Sequence, residues 1–321
     1  MKNKISKLKQ SRLIYGTMGL GGGWNKNNIE KKDITEAQEA IEAALEIGIN
    51  FFDTANIYQF TKSEKVFGKY LEANPNLRGK IYIQSKVGII LATEERKGQF
   101  DFSYEHIIKE VASSLKRLKT DYLDCLLLHR PDPLMEVMEV KAAVDYLFKN
   151  GMIKSIGVSN MGQHQIKNIA NYIERPIAAN QLEMSLSKLD FVNGEILFNQ
   201  PGYNSMDFPV GTLEYCKRKE ISLQAWSPMA RGIFTGKKLD KDANINVLMT
   251  KEMVASMAEE KNVSGEAIVL AWLMRHPALI SPVIGTKNPA RIRSIKGACD
   301  LQLTRNEWYD LFITSRGEDM P

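Results

Sequence analysis

The sequence has few cysteines and no long apolar run. Its three cysteines, Cys125, Cys216 and Cys299, lie far apart and form no CxxC pair, so neither a zinc site nor a dithiol redox site is indicated. No stretch of about 18 apolar residues occurs, which argues against a membrane-spanning helix. The basic start, residues 1–16, lacks an apolar core and a small-residue cleavage site, so no secretory signal is predicted. Together these absences favour a reducing cytoplasm.

Clustered charge of one sign is also missing. The 43 Lys and Arg residues are interleaved with 38 Asp and Glu residues, for a net charge of +5. Nucleic-acid binding is therefore not expected, because it needs a clustered basic face. The glycine-rich residues 16–24 do not form the dinucleotide pattern G-x-G-x-x-G, since its third glycine falls at Trp24, and no P-loop precedes the GKK at 236–238. No histidine has a ligand-like neighbour at metal spacing, so no metal is expected.

Short apolar runs alternate with amphipathic segments along the 321 residues. This rhythm is typical of βαβ units around a parallel sheet. Eight strands are predicted, in the segments LIYGTM, INFFDT, IYIQSKV, YLDCLLLH, IKSIGVS, IAANQLE, ISLQAW and LISPVIG. Eight strands without a composition shift or linker predict a single (β/α)8 TIM barrel domain over residues 1–321. A doubly wound open sheet is the alternative.

Helical periods lie between these strands. One predicted face contains Ile41, Ala44, Leu45 and Gly48, and another contains Ile108, Val111, Leu115 and Leu118. Gly151 is expected just after a helix C-terminus, and Ser264 is expected to cap a helix with Glu266 in its first turn. Of the histidines, His106 and His164 near helix starts and His276 before Pro277 are expected at the surface or in caps.

Polar side chains close several of the predicted strands: Asp53, Lys86, His129, Ser159 with Asn160, and Gln181, with Trp226 in the same position. In a barrel, function sits where the strands end. Asp53 would find a partner in Lys86, and an ammonium near a phenol would lower the pKa of Tyr58 below its usual value of about 10. Such a phenol is usable as an acid near neutral pH.

These residues stand in a familiar set of motifs: GINFFDTANIY with Asp53 and Tyr58, QSKVG with Lys86, LLLHRPDP with His129, IGVSN with Ser159 and Asn160, NQLEMS with Gln181, AWSPMARGIFTG around Trp226, and PVIGTKNPARI with Arg291. In this order the chain resembles the aldo-keto reductase superfamily. The resemblance implies an (α/β)8 barrel, NADPH as the hydride donor and a small carbonyl compound as the substrate. No obligatory protein partner is expected.

The resemblance also implies roles for individual residues. Tyr58 looks like the general acid that protonates the carbonyl oxygen, Lys86 like the cation beside it, and Asp53 like the carboxylate that holds Lys86. His129 resembles the residue that orients the carbonyl. Trp24, in a first loop over the site, is expected to line the substrate pocket with Tyr58 and His129.

Cofactor contacts follow from the same resemblance. Ser159, Asn160 and Gln181 resemble the side chains that bind the nicotinamide carboxamide, and Trp226 falls where the family places an aromatic ring. The remaining expected cofactor contacts are Thr17, Met18, Asp53, Ser227, Met229, Arg231, Gly285, Thr286, Lys287 and Arg291. Arg291 with Lys287 would pair with a 2′-phosphate, which favours NADPH over NADH. Ser294 and Ile295 stand where many members have a Glu-Asn pair for adenine, so the strength of this preference stays open.

Two other functions remain as alternatives. Lys86 at a strand end could form a Schiff base with a carbonyl substrate, as in an aldolase, but Asp53 would oppose this by keeping the lysine charged. The chain could also be a regulatory module that binds NADPH without turnover, as the potassium-channel β-subunits that share this fold do.

Overall fold

The computed structural model describes residues 9–240 and 242–321. Residues 1–8, which include half of the basic start for which no signal is predicted, lie outside the described residues, as does Lys241. The strands in chain order are β1 Ile14–Gly16, β2 Phe51–Asp53, β3 Tyr82–Val87, β4 Ile89–Ile90, β5 Gln99–Phe100, β6 Cys125–Leu128, β7 Ile156–Ser159, β8 Ile177–Glu183, β9 Ser222–Trp226 and β10 Ser281–Ile284.

Eight of these strands have the neighbour order of a closed barrel, β1-β10-β9-β8-β7-β6-β3-β2. Each lies within one of the eight predicted segments, so the predicted (β/α)8 barrel is confirmed and the open sheet is wrong. The sequence did not predict β4 and β5, which form a separate antiparallel pair with Ile89 opposite Phe100. Contacts divide the chain into two compact units. The single-domain organisation stays a prediction.

The helices in chain order are α1 Lys31–Glu46, α2 Lys62–Ala73, α3 Tyr104–Leu118, α4 Val137–Lys149, α5 Gln163–Ile173, α6 Asp190–Ile196, α7 Thr212–Arg218, α8 Ile245–Glu260, α9 Gly265–Arg275, α10 Pro289–Ser294 and α11 Arg305–Arg316. Both predicted helix ends are confirmed: Gly151 lies just after α4 with a φ of 68°, and the Ser264 side chain caps α9. The predicted face of α1 extends too far, because Gly48 lies beyond the end of that helix.

The first unit comprises the described residues up to Leu128, together with Asp132–Ser155 and Gly285–Ile292. Within it β2 pairs in parallel with β1 and β3, and β3 pairs with β6. All six residues of β3 are buried, as expected for a parallel strand covered on both faces. The rings of Tyr15, Phe52 and Phe67 pack in its core.

The second unit comprises His129–Pro131, Ile156–Ile284 and Arg293–Pro321. Here β8 pairs in parallel with β7 and β9, and β9 pairs with β10. The indoles of Trp272 and Trp308 stack at 5.4 Å, and each ring N–H donates to the other residue's carbonyl oxygen. This pairing satisfies both polar atoms of two large rings and lets them fill the core.

His276, expected at the surface or in a cap, is the C-cap residue of α9. It is 6% exposed, and its Nε2 lies 3.0 Å from Glu195 Oε2. The rings of Phe191 and Trp308 contact it. The expected cap position is therefore confirmed, whereas the burial was not predicted because these aromatic contacts come from residues distant in sequence.

No helix of the described residues is long and apolar enough to cross a membrane. Likewise, within residues 9–240 and 242–321 no group of three or more His, Cys, Asp or Glu side chains could hold a metal ion.

Candidate active site

Lys86 makes three hydrogen bonds in the first unit. Its ammonium donates to Asp53 Oδ2 at 2.6 Å, to the Thr54 carbonyl at 2.9 Å and to the Tyr58 hydroxyl at 2.9 Å. Gln84 Nε2 donates to the other oxygen of Asp53 at 2.6 Å. A lysine ammonium has three N–H donors, so each of them has an acceptor. The structure thus brings together three of the four predicted catalytic side chains.

The strands explain this convergence. Asp53 is the last residue of β2 and pairs with Gln84 of β3. Side chains alternate along a strand, so Gln84 and Lys86 point to one side, while Ser85 points to the other and donates to Glu64. After β2 the chain continues along β3, because the Thr54 and Asn56 amides donate to the carbonyls of Gln84 and Lys86. A turn closed by the Tyr58 amide and the Ala55 carbonyl then brings the phenol to Lys86.

The electrostatics of this group differ from the prediction. Burial raises the pKa of Tyr58, and together with the negative charge of Asp53 this outweighs the lowering by Lys86. The expected net lowering is therefore wrong, although Lys86 acts in the expected direction. Burial alone would lower the pKa of Lys86, but Asp53 and Tyr58 raise it above its usual value. Lys86 is accordingly a stable cation and Tyr58 a protonated phenol at neutral pH.

A second cluster lies in the second unit and includes His129, the residue after β6, and Asn160, the residue after β7. The Asn160 side-chain amide donates to the His129 carbonyl at 3.2 Å and to Ser159 Oγ at 2.9 Å. Its oxygen accepts from Trp226 Nε1 at 3.0 Å. Asn160 has a φ of 57°, a left-handed conformation that asparagine tolerates better than most residues. His129, Ser159, Asn160 and Trp226 therefore form one bonded group.

Gln181 joins the same cluster through the strands. It pairs with Ser159 of β7 and Gln224 of β9. Ser159 Oγ donates to the Gln181 carbonyl at 2.9 Å, and Gln181 Nε2 donates to Gln224 Oε1 at 2.9 Å. The side-chain amides of Gln181 and Gln224 are thus oriented by a hydrogen bond between neighbouring strands.

The segment after Trp226 is a tight turn. Ser227, Ala230 and Arg231 have left-handed backbone, and the Gly232 amide donates to the Met229 carbonyl at 2.7 Å. Ser227 and Arg231 are exposed, whereas Met229 is half-buried. This turn leaves the Arg231 guanidinium accessible to an anion.

The remaining predicted cofactor residues lie in the first unit. Thr17 and Met18 follow β1 in a 3-10 helix, Thr17–Gly19. Gly285, Thr286 and Lys287 lead into α10, where the Asn288 side chain accepts from the amides of Ala290 and Arg291. A Cβ on Gly19 would lie 3.3 Å from the Gly285 carbonyl oxygen, so these two segments run close together. Gly285, Lys287 and Arg291 are exposed, and Lys287 forms an ion pair with Glu36.

Each unit has side chains suited to one part of a dinucleotide phosphate cofactor. Exposed cations suit phosphate groups, and amide and hydroxyl side chains at strand ends suit a carboxamide. The sequence did not single out Gln84 or Gln224, which support Asp53 and Gln181. Because side chains alternate along a strand, the order QSKV places Gln84 on the same side of the strand as Lys86. This spacing could have identified Gln84 from the sequence.

Residues 12–312 match the model of the Aldo/keto reductase family. The chain belongs to the aldo/keto reductase family. It is 33% identical over 318 residues to an uncharacterised oxidoreductase of Bacillus subtilis (strain 168), covering 98% of this chain and 97% of that protein. It is also 33% identical over 320 residues to a 6-dehydroglucose reductase of Agrobacterium fabrum, with the same two coverages.

Solved structures share the fold. The glycerol dehydrogenase of Gluconobacter oxydans superimposes with a TM-score of 0.79 at 23% identity, covering 97% of this chain and 94% of that one. This aldo/keto reductase is an NADP-dependent oxidoreductase, and the reaction of its family is carbonyl reduction with NADP(H). The family and the enzyme class expected from the sequence are confirmed.

Proposed function

We propose that this aldo/keto reductase reduces the carbonyl group of aldehydes or ketones to an alcohol through Tyr58, with Lys86, Asp53 and His129. The observation that carries the proposal is the Lys86 ammonium, which donates to both Asp53 and the Tyr58 hydroxyl in a buried position. A phenol bonded to a fixed cation can give up its proton and leave a stabilised phenolate.

Different residues donate the proton and stabilise the charge that remains. NADPH, when bound, would supply the hydride for the carbonyl carbon. Tyr58 gives its proton to the carbonyl oxygen, and Lys86 stabilises the phenolate that remains. Asp53 keeps Lys86 charged and fixed in place. Burial keeps the phenol protonated until a substrate accepts its proton. His129 would orient the carbonyl by donating one imidazole N–H, and Trp24 would line the pocket beside Tyr58.

For the cofactor, we propose that Ser159, Asn160 and Gln181 hold the nicotinamide carboxamide and that Trp226 covers the ring. Arg231 and the exposed residues after β10 would contact the phosphates. The predicted contacts of Thr17, Met18, Asp53, Ser227, Met229, Gly285 and Thr286 remain part of this proposal. Arg291 and Lys287 would pair with the 2′-phosphate, giving a preference for NADPH. The Glu36 partner of Lys287 would compete with that phosphate.

The names of the relatives favour one class of substrate. Two of them, from Agrobacterium fabrum and Novosphingobium aromaticivorans, carry the name 6-dehydroglucose reductase. We therefore place sugar aldehydes first among the candidate substrates. We also propose a cytoplasmic enzyme without an obligatory protein partner.

The decisive experiment measures NADPH absorbance with a panel of aldehydes, ketones and sugar aldehydes. Tyr58→Phe should lower the rate by about 10² to 10⁴ because it removes the proton donor. Cofactor that binds but is never oxidised would instead support the regulatory module. Borohydride trapping of substrate on Lys86 would support the Schiff-base lyase, which the raised pKa of Lys86 opposes.

A further inference from the structure

The three residues after Tyr58 have left-handed backbone, although none is glycine. The φ angles of Gln59, Phe60 and Thr61 are 51°, 55° and 72°. In this conformation the Cβ of an L-residue crowds the following carbonyl, so each residue costs conformational free energy. Such a run, here named the 59–61 turn, persists only where its surroundings hold it.

The surroundings are supplied by the first loop, residues 17–27. Gln59 Nε2 donates to the Met18 carbonyl at 2.9 Å. The ring of Phe60 meets Trp24 edge to face at 6.0 Å. Just beyond the turn, Ser63 Oγ donates to the Thr17 carbonyl at 2.7 Å. The residues of the first loop that are proposed to contact cofactor or substrate are thus attached to the segment that follows Tyr58.

Gln59 is the least exposed residue of the turn, and one of its side-chain polar atoms is buried without a hydrogen bond. Its side chain is buried at 5% exposure. Within the part of the chain that the structure describes, its Oε1 accepts no hydrogen bond. A Cβ on Gly23 would lie 3.9 Å from this oxygen, so the side-chain amide of Gln59 lies close to Gly23 of the first loop. A buried acceptor without a donor is destabilising, so stability alone does not explain a glutamine here.

We propose that Gln59 is a positioning residue for the reduction: its amide fastens the first loop to the 59–61 turn and thereby fixes the Tyr58 hydroxyl relative to Thr17, Met18 and Trp24. The inference rests on the proposed function of Tyr58. Reacting groups must be held close to their productive geometry, and small misplacements lower the rate strongly. A strained turn that is attached to the first loop by a buried side-chain amide is suited to this task.

The test compares Gln59→Met with Thr61→Gly. Methionine has nearly the length of glutamine but does not donate to the Met18 carbonyl, and it removes the unmatched Oε1. Thr61→Gly removes a left-handed side chain from the same turn without cutting the tie, because Thr61 makes no capping hydrogen bond to α2. Gln59→Gly is a second variant that the backbone accepts at positive φ and that also lacks the tie.

For Gln59→Met we expect kcat for carbonyl reduction to fall by about 10- to 100-fold with a much smaller change in KM. Amide hydrogen exchange of residues 17–24 should become faster, whereas Tm should change little, because removal of the unmatched Oε1 offsets the lost hydrogen bond to the Met18 carbonyl. Gln59→Gly should show the same loss of kcat and the same faster exchange. Thr61→Gly should keep kcat and the exchange of the first loop within about twofold of the wild type.

Two results would overturn the proposal. One is a kcat within about twofold of the wild type in both Gln59 variants. The other is unchanged exchange in residues 17–24, with any loss of rate matched by a loss of Tm. If the wild-type chain reduces no carbonyl at all, the proposed function fails, and the exchange measurement still decides whether Gln59 holds the first loop.

Discussion

At Tyr58 two electrostatic influences act in opposite directions. Burial raises the pKa of the phenol and the nearby Lys86 ammonium lowers it, with burial the larger effect. Asp53 and Lys86 could be identified in the sequence because they lie at or next to the ends of two neighbouring parallel strands, and Tyr58 follows Asp53 in the same motif. The net direction of the pKa shift could not be predicted, since it depends on how deeply the hydroxyl is enclosed.

The pH dependence of reduction should follow from this shift. Tyr58 must be protonated to act as the acid, and its raised pKa keeps it protonated through neutral pH. We expect kcat/KM for reduction to stay level through the neutral range and to fall only above pH of about 10. Alcohol oxidation, which needs the phenolate, should rise with pH. A fall of the reduction rate between about pH 7 and pH 8, at saturating NADPH, would contradict the raised pKa.

The ion pair of Lys86 and Asp53 also bears on stability. Their side chains are 0% and 2% exposed. Lys86→Met leaves the Asp53 carboxylate buried without its cation, so the free energy of unfolding should drop by about 3–5 kcal/mol in urea titrations. Lys86→Met combined with Asp53→Asn should recover much of that loss. Equal stability of the single and double variants would show that the pair is not an energetic unit.

At the scale of elements, the eight barrel strands were predictable because buried parallel strands are nearly continuous apolar runs. The β4 and β5 pair was not, because two-residue strands such as Ile89–Ile90 carry no period. Positions where two helices come into close contact could not be predicted from the sequence either, because they depend on tertiary packing. Gly68 is an example: a Cβ there would lie 1.9 Å from the Arg117 carbonyl oxygen, where α2 crosses α3.

Gly68→Ala should therefore destabilise the enzyme. The added methyl group forces α2 away from α3, and overpacking of this kind costs about 1–3 kcal/mol. Gly79→Ala is the matched control, because nothing lies within 4 Å of a Cβ at Gly79 and its φ is not positive. Thermal unfolding should show a lower Tm for Gly68→Ala alone. Similar Tm values for the two variants would mean that the helices adjust without cost.

The start of α11 has a reciprocal cap. Thr304 accepts from the Glu307 amide at 3.2 Å, and Glu307 accepts from the Thr304 amide at 2.7 Å. Although burial opposes the charge, Lys261 and Thr304 lower the pKa of Glu307. A lowered carboxylate pKa contributes stability above the pKa of the unfolded chain, and this contribution is lost as pH falls through the folded pKa.

Thr304→Ala should accordingly reduce the free energy of unfolding by about 1 kcal/mol at neutral pH. Glu307→Gln should also destabilise the enzyme at neutral pH, but the difference from the wild type should shrink in acid, where Glu307 is protonated. Urea titrations at several pH values measure both effects. A constant difference at all pH values would indicate that the charge of Glu307 contributes nothing.

For the whole molecule, cofactor binding should appear as stabilisation. A ligand at 100 times its Kd raises the free energy of unfolding by about 2.7 kcal/mol. At equal concentrations NADPH should raise Tm more than NADH. In Arg291→Ala the Tm increases produced by the two cofactors should differ less than in the wild type. Lys296→Ala removes another exposed cation that follows α10 and should leave the difference unchanged. Equal shifts with both cofactors in the wild type would refute the preference for NADPH.

The hydrogen bonds of Lys86 also bear on the reactivity of its amine towards aldehydes. Aldehydes inactivate proteins by condensing with uncharged amines, which attack through the nitrogen lone pair. Every N–H of the Lys86 ammonium is engaged, and its raised pKa keeps that lone pair protonated. The amine beside the Tyr58 hydroxyl is thereby protected from condensation with aldehydes.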